Sequence, residues 1–176
     1  MSGHNKWSKI KHKKAASDAK KSKLFSMHAR VLTTVVKEAN GDSQSPSVRA
    51  AVERAKKDSM PAENIERALK KGQGVDATSY RAVRFEAFGP GGAALIIDGL
   101  TDNNNRTSQE VKHIFTKLGL TLGAPGCAAW AFIKGKDGWE AQTPVELRDD
   151  DLDKLEKLVD ALEEHEDIES VFTNVA

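Results

Sequence analysis

One cysteine in 176 residues excludes an internal disulfide, and Cys127, set in the apolar run CAAWAFI, reads as a small buried thiol and not as a nucleophile. No apolar run approaches the length of a membrane span, and the lysine-rich start lacks the hydrophobic segment of a secretory signal. A cytoplasmic protein that makes no membrane contact is therefore expected. Five histidines, His4, His12, His28, His113 and His165, are scattered with no pair at metal-ligand spacing, and there is no second cysteine to share a zinc ion. The carboxylates crowd a helix start, which suits a helix dipole better than acid/base work. Neither an enzyme, a cofactor, a metal nor a small-molecule substrate is expected. What remains is an ordinary folded composition, 39% hydrophobic and 30% charged.

The net charge of +1 conceals a segregation of sign. Residues 1–75 hold 17 Lys/Arg against 7 Asp/Glu, whereas residues 76–176 hold 10 against 19. A basic half joined to an acidic half implies contact with a polyanion through one end. The excess is densest in GHNKWSKIKHKKAASDAKKSKLF, where eight lysines precede Phe25 with Asp18 as the only acid. Many cations at flexible spacing suit a phosphate chain, since each neutralised phosphate releases condensed counterion. Lys6, Lys9, Lys11, Lys13, Lys14, Lys20, Lys21, Lys23 and Arg30 are the candidate phosphate contacts, His12 a further donor when protonated, and Trp7 a plane for base stacking. A solvated tail, a site for an acidic protein surface and a membrane-surface segment are the alternatives. Lysine counts do not distinguish DNA from RNA.

Apolar spacing predicts three helices in the basic half: Asp18 to about Asn40, a second after SQSPS, and a short third from Pro61, with Lys70, Lys71 and Gly72 at its exit. GQGVDATS lacks periodicity and lies where the charge reverses, so the expected domains are 1–75, a basic helical domain with a flexible arm, and 76–176. Beyond the boundary VRFEAF alternates, GPGG reads as a hairpin turn and AALIIDGL as a strand buried on both faces. Thr107 and Glu110 form a capping box before Val111, Ile114, Phe115 and Leu118. CAAWAFI reads as another buried strand, Trp139 to Leu147 as an edge strand, Asp149 onward as a helix and SVFTNV as a closing strand. The class is α+β: a three-helix domain, then one extra strand and the β-α-β-β-α-β succession of a ferredoxin-like domain. In TDNNNRT the residues Asn104, Asn105 and Arg106 stand at a helix start, where anions are favoured; a loop whose asparagines serve turns and caps is the alternative.

GHNKWSKIKHKKAASDAKKSKLF, MPAENIERALKKG, FEAFGPGG with AALII, LTDNNNRT, CAAWAF and LDKLEKLVDALEEHEDIESVFTNV together resemble the successive motifs of the YebC/PmpR family of probable transcriptional regulators, some of whose mitochondrial relatives activate translation. The resemblance implies a basic helical domain followed by α/β lobes, with DNA binding in some members and work on the ribosome in others. It also implies a third lobe between CAAWAFIKG and QTPVEL, where this chain has only the turn through Lys134 to Gly138. The loop reads NNNRT where the family pattern is NRNRT, and LGLTLGAPG departs from the usual Gly- and Asn-rich stretch. The expected function is a DNA-binding transcriptional regulator, with a ribosomal-RNA-bound translation factor second and an adaptor using the acidic C-terminal face third. A monomer is the working expectation, although no residue fixes the oligomeric state.

Overall fold

The apolar stripe that begins at Leu24 winds into α1 (Asp18–Glu38), in which Leu32 and Val36 lie wholly buried. The computed structural model describes residues 18–74, 79–135 and 138–176, and the chain divides into two units, one ending at Arg81 and the other running from Ala82 to Ala176. Lys6, Trp7, Lys9, Lys11, His12, Lys13 and Lys14 lie outside the described residues, as do residues 75–78 and the side chain of Lys20.

In the first unit α1 stops where Asn40 and Gly41 take positive φ. The Asn40 N–H then donates to the Lys37 carbonyl at 3.0 Å and the Gly41 N–H to the Val36 carbonyl at 2.9 Å. Ser45 caps α2 (Pro46–Lys57) by accepting the Val48 N–H, with Pro46 in the first turn where its missing N–H costs nothing. Helix α3 (Ala62–Gln73) turns Ile65 and Ala68 inward, and with Leu32, Ala51, Ala55 and Met60 they form one core. Complete burial of a side chain such as Leu32 contributes about 1.5–3 kcal/mol. His28, nearly buried on α1, ties that helix to the end of α2 through a 2.7 Å bond between its Nε2 and Asp58 Oδ2. Gly72 is the penultimate residue of α3, in its exit turn as expected. A Cβ there would lie 2.7 Å from the Thr33 carbonyl oxygen and 2.8 Å from Val36 Cβ, so it is the close approach of α1 that requires glycine.

The second unit is built on β1 (Arg81–Phe88), β2 (Ala94–Thr101) and β5 (Ile168–Thr173), in the spatial order β1-β2-β5. A tight turn at Pro90–Gly92 joins the first two strands, with Gly91 and Gly92 at φ 64° and 81°. Strand β2 runs antiparallel to β5, pairing Leu95 with Thr173 and Ile97 with Val171. Both faces of β2 are covered. Leu95 and Ile97 pack against α4 (Asn104–Lys117) and α5 (Asp149–Glu164), whereas Ala94 and Ile96 meet Ala128, Ala131 and Phe132. The second layer is completed by β3 (Phe132–Lys134) and β4 (Trp139–Ala141), which pair antiparallel as a separate two-stranded sheet. Asp98 fastens this layer to the sheet: Arg84 donates to it from Nε at 2.6 Å and Nη2 at 3.1 Å, Trp139 Nε1–H donates at 3.1 Å, and the guanidinium lies 4.6 Å from the Trp139 ring centroid. The fold is α+β, and after β1 the elements follow the expected β-α-β-β-α-β order.

Three local expectations are corrected. CAAWAFI is not one strand: residues 129–131 form a 3-10 turn, Trp130 is 60% exposed, and extended backbone begins only at Phe132. The edge strand ends at Ala141, with a single parallel bridge from Val145 to Val175 beyond it. Leu118, read in one apolar series with Val111, Ile114 and Phe115, follows the end of α4 and is exposed, whereas Val111 and Phe115 are buried. The first correction has a clear cause. Glu86, on the face of β1 opposite Phe85 and Ala87, is 6% exposed and collects three backbone N–H groups: Gly126 at 2.9 Å on Oε1, and Ala128 and Ala129 at 2.8 Å on Oε2. Donors that converge on one carboxylate require a curled backbone, so 126–131 cannot extend. Desolvation pushes the Glu86 pKa up, yet the three N–H bonds and Arg84 outweigh it and hold the carboxyl below its ordinary value. Burial, reinforced by the Glu86 charge, pushes the Cys127 thiol up, which suits an unreactive role.

A depressed folded-state value means that Glu86 stabilises the unit above the ordinary carboxylate range and that this contribution is lost as pH falls through the folded value. Glu86→Gln is expected to cost roughly 2–3 kcal/mol near neutrality, because a side-chain amide cannot accept all three N–H bonds. The difference from wild type, measured by urea denaturation, is expected to shrink steadily as the pH is lowered.

Candidate nucleic-acid interface

The cationic excess persists in the helical unit without the arm. From Lys21 to Arg81, apart from residues 75–78, there are twelve Lys/Arg and six Asp/Glu. Lys21, Arg49, Lys57, Lys70 and Lys71 are exposed and carry no ion pair among the described residues. Pairs that do form, Lys56–Glu53 at 3.5 Å and Arg67–Glu63 at 2.9 Å, are solvent-exposed and contribute little to stability. Lys23 and Arg30 are part-buried on α1.

Arg30 also borders the groove that opens between α1 and α3. Where the helices meet at Gly72 there is no room for a Cβ, but Ala29 and Ala68 carry only methyl groups and leave a groove of about 450 Å³. The apolar part of its lining comes from Phe25, Ala29, Met60 and Ala68, the last two nearly buried. Thr33, buried among the lining residues, has its hydroxyl 2.8 Å from the Ala29 carbonyl of its own helix and 3.4 Å from the Ala68 carbonyl of α3. The rim carries Arg30, Arg67 and Lys71, with Asn64 and the hydroxyls of Ser22 and Ser26 between them. Tyr80 closes one side, its ring centroid 5.7 Å from the Arg30 guanidinium, and Lys37 Nζ donates to the neighbouring Ser79 hydroxyl. Periodicity named Arg30 but missed Tyr80, Arg67 and Asn64. The only tyrosine of the chain, placed beside a basic helical segment, was the one signal that could have drawn attention to them.

The TDNNNRT loop is organised differently. Asn103 caps α4, its Oδ1 accepting the Arg106 N–H at 3.1 Å, so the helix begins at Asn104 and the Thr107 capping box does not form. Thr107 is instead buried inside α4 and donates its hydroxyl to Asp167 Oδ2 at 2.6 Å. Thr101, also buried, contacts both Thr107 at 2.7 Å and Asp167 at 3.1 Å. Arg106 donates through Nη2 to the same carboxylate oxygen at 2.8 Å and to Asp102 at 3.0 Å. Asp167, 3% exposed, is thereby compensated, and its bond and charge hold the Arg106 pKa above the ordinary value. Asn104 and Asn105 are exposed.

The fold also gathers Glu110, His165 and Asp167, whose candidate ligand atoms lie within 4.8 Å of one another, a grouping that the scattered histidine spacing did not reveal. These atoms already have partners. His165 Nδ1 accepts the Asp167 N–H at 3.1 Å, its Nε2 lies 2.9 Å from Glu110 Oε2, and Asp167 serves Arg106 and the threonines. The trio is a structural knot that joins α4 to the start of β5. No helix among the described residues is long and apolar enough to cross a membrane.

The first unit and its arm match the family model described as the TACO1/YebC protein N-terminal domain over residues 5–75. The model for the TACO1/YebC second and third domain matches 80–136 and 133–175, two segments that meet at the turn between β3 and β4. A probable transcriptional regulatory protein from Halothermothrix orenii is 41% identical over 165 residues, which is 93% of this chain and 63% of that protein. The chain thus spans between half and two thirds of the length of several such relatives, 55% for the one from Desulfatibacillum aliphaticivorans. A protein of the same description from Pelotomaculum thermopropionicum is 34% identical across 99% of this chain and 98% of its own length. That alignment runs over 238 positions, at least 62 more than this chain possesses. The crystal structure of a conserved hypothetical protein from Aquifex aeolicus superposes with a TM-score of 0.81 at 30% identity, covering 95% of each chain.

Thr107→Val, which keeps the shape and removes the donor, is expected to cost about 1–3 kcal/mol in urea denaturation. Arg106→Gln is expected to lower the melting temperature while leaving the salt dependence of nucleic-acid binding unchanged. An Arg106 that touched duplex phosphate would instead reduce that slope by about 0.9.

Proposed function

Since this chain belongs to the TACO1/YebC family, we propose that it is a nucleic-acid-binding regulator of gene expression, which grips a phosphate backbone through the lysine-rich arm and the cationic surface of the helical unit. The observation that carries this reading is the surplus of cations over acids in the first 75 residues, together with exposed cations such as Lys21, Arg49, Lys57, Lys70 and Lys71 that carry no ion pair among the described residues. A surface of this kind binds polyanions through counterion release and needs no base readout. The names of the relatives, probable transcriptional regulatory proteins, favour DNA as the target. No catalytic step is assigned, and the site of action is the cytoplasm. Ribosomal RNA is the second reading, and the groove between α1 and α3 favours it, because its apolar floor would be left empty by a duplex that offers only phosphates.

Replacement of Lys9, Lys11, Lys13 and Lys14 by alanine is expected to weaken binding to duplex DNA and to flatten the plot of log affinity against log salt. The slope should fall by up to about 0.9 for each phosphate contact removed. Fluorescence anisotropy titrations at several salt concentrations measure it, and a slope equal to that of wild type would exclude the arm as the phosphate grip. Ribosome association is read separately by sedimentation of lysate on sucrose gradients at low and high magnesium.

A further inference from the structure

We propose that the groove between α1 and α3 seats one unpaired nucleotide, with its base on the apolar floor and its phosphates on the cationic rim, an assignment that rests on the nucleic-acid reading above. At about 450 Å³ the groove lies within the range of small-ligand sites, large enough for a nucleotide and too small for a duplex or a folded partner. Its chemistry is divided in the way a nucleotide is divided. Phe25 and Ala29, part-buried in the groove lining, offer apolar surface, which a bare phosphate would leave unmatched, and Lys71, exposed and with no ion pair among the described residues, offers a cation, which an apolar side chain would leave unmatched. The Tyr80 ring, with the Arg30 guanidinium over it at 5.7 Å, places in the groove lining an aromatic plane of the kind on which unstacked bases lie. A paired base cannot reach such a floor, because its faces are covered by its neighbours in the stack. Ser22, which lines the groove, stands in the sequence between Lys21 and Lys23, at the end of the lysine-rich segment.

The test uses the full chain with three fluorescein-labelled probes of equal length, oligo(U), oligo(dT) and a DNA duplex. Ser26→Leu fills the groove from an exposed helical position, and Tyr80→Ala removes the ring without touching the core. Each variant is expected to weaken single-strand binding about tenfold, the scale of one lost base–aromatic stack. Duplex affinity and the salt slope are expected to stay as in wild type. Comparison of oligo(U) with oligo(dT) tells whether the sugar selects RNA. Agreement of circular-dichroism melts with wild type checks folding, and the two variants act from different sides of the groove, so a folding defect in one leaves the other decisive. Equal losses on duplex and single strands would overturn the assignment, as would undiminished single-strand binding in both variants. Tyr80-dependent binding of an acidic, phenylalanine-containing peptide, with oligonucleotide binding unaltered, would also overturn it. In those cases a duplex affinity that still depends on the arm lysines leaves the broader reading standing. A wild-type chain that binds none of the three probes removes both.

Discussion

An ion that has found its partner inside its own fold is no longer available to a polyanion, and that constraint divides this molecule. In the second unit the charges that matter are turned inward. Glu86 is satisfied by backbone N–H groups, Asp167 by two threonines and Arg106, and Asp98 by Arg84 and Trp139. A carboxylate withdrawn from water is costly unless donors meet its lone pairs, so each of these residues dictates the course of the backbone around it. Glu86 curls 126–131, Asp167 draws α4 onto the start of β5, and Asp98 fixes the small second sheet. The helical unit follows the opposite course. Its core is alanine, leucine, isoleucine and methionine, His28 is the only nearly buried ionisable side chain among its described residues, and most of its described lysines and arginines are exposed.

Much of this was legible in the sequence, and the residues that were misread share a physical reason. Helical periodicity located α1, α2, α3 and α5 and the inward Leu152, Leu155, Val159 and Leu162, because burial against one neighbour leaves a stripe at period 3.6. The uninterrupted run AALIIDGL correctly signalled a strand covered on both faces. The failures came where one side chain, distant in sequence, overrules local preference. CAAWAFI has strand propensity, but Glu86, some forty residues earlier, takes three of its neighbourhood's N–H groups. Thr107 has the spacing of a helix cap, but Asp167, sixty residues later, takes its hydroxyl and leaves capping to Asn103. Gly72 was rightly placed at a helix exit, but its tightest demand, the proximity of Thr33 and Val36, is written on another helix and was not legible.

The length difference from the relatives fits the same architecture. The two matched segments of the second-and-third-domain model meet at residues 133–136, at the tip of the hairpin between β3 and β4. Both strands of that hairpin are anchored: Phe132 is buried against β2, and Trp139 is fixed by Asp98 and Arg84. A turn whose flanking strands are anchored independently tolerates insertion or removal of chain at small entropic cost, so the sheet, its helices and the Asp98 network persist with a short connection there.

The arm and the groove, finally, draw on different forces. Phosphate contact by lysine is non-directional, is screened by salt and cannot choose among sequences or between paired and unpaired strands. Stacking on an apolar floor beside Tyr80 and Arg30 is short-ranged, nearly indifferent to salt and closed to a base that remains paired. A protein with only the first would coat any nucleic acid it met, and one with only the second would associate slowly and without long-range attraction. On the reading proposed above, an arm that precedes α1 and a groove lined from Ser22 onward would together make a reader captured by charge and selective for exposed bases. Selectivity of that kind depends on strand state more than on sequence, which is the property a regulator needs if its target is a melted, looped or single-stranded region.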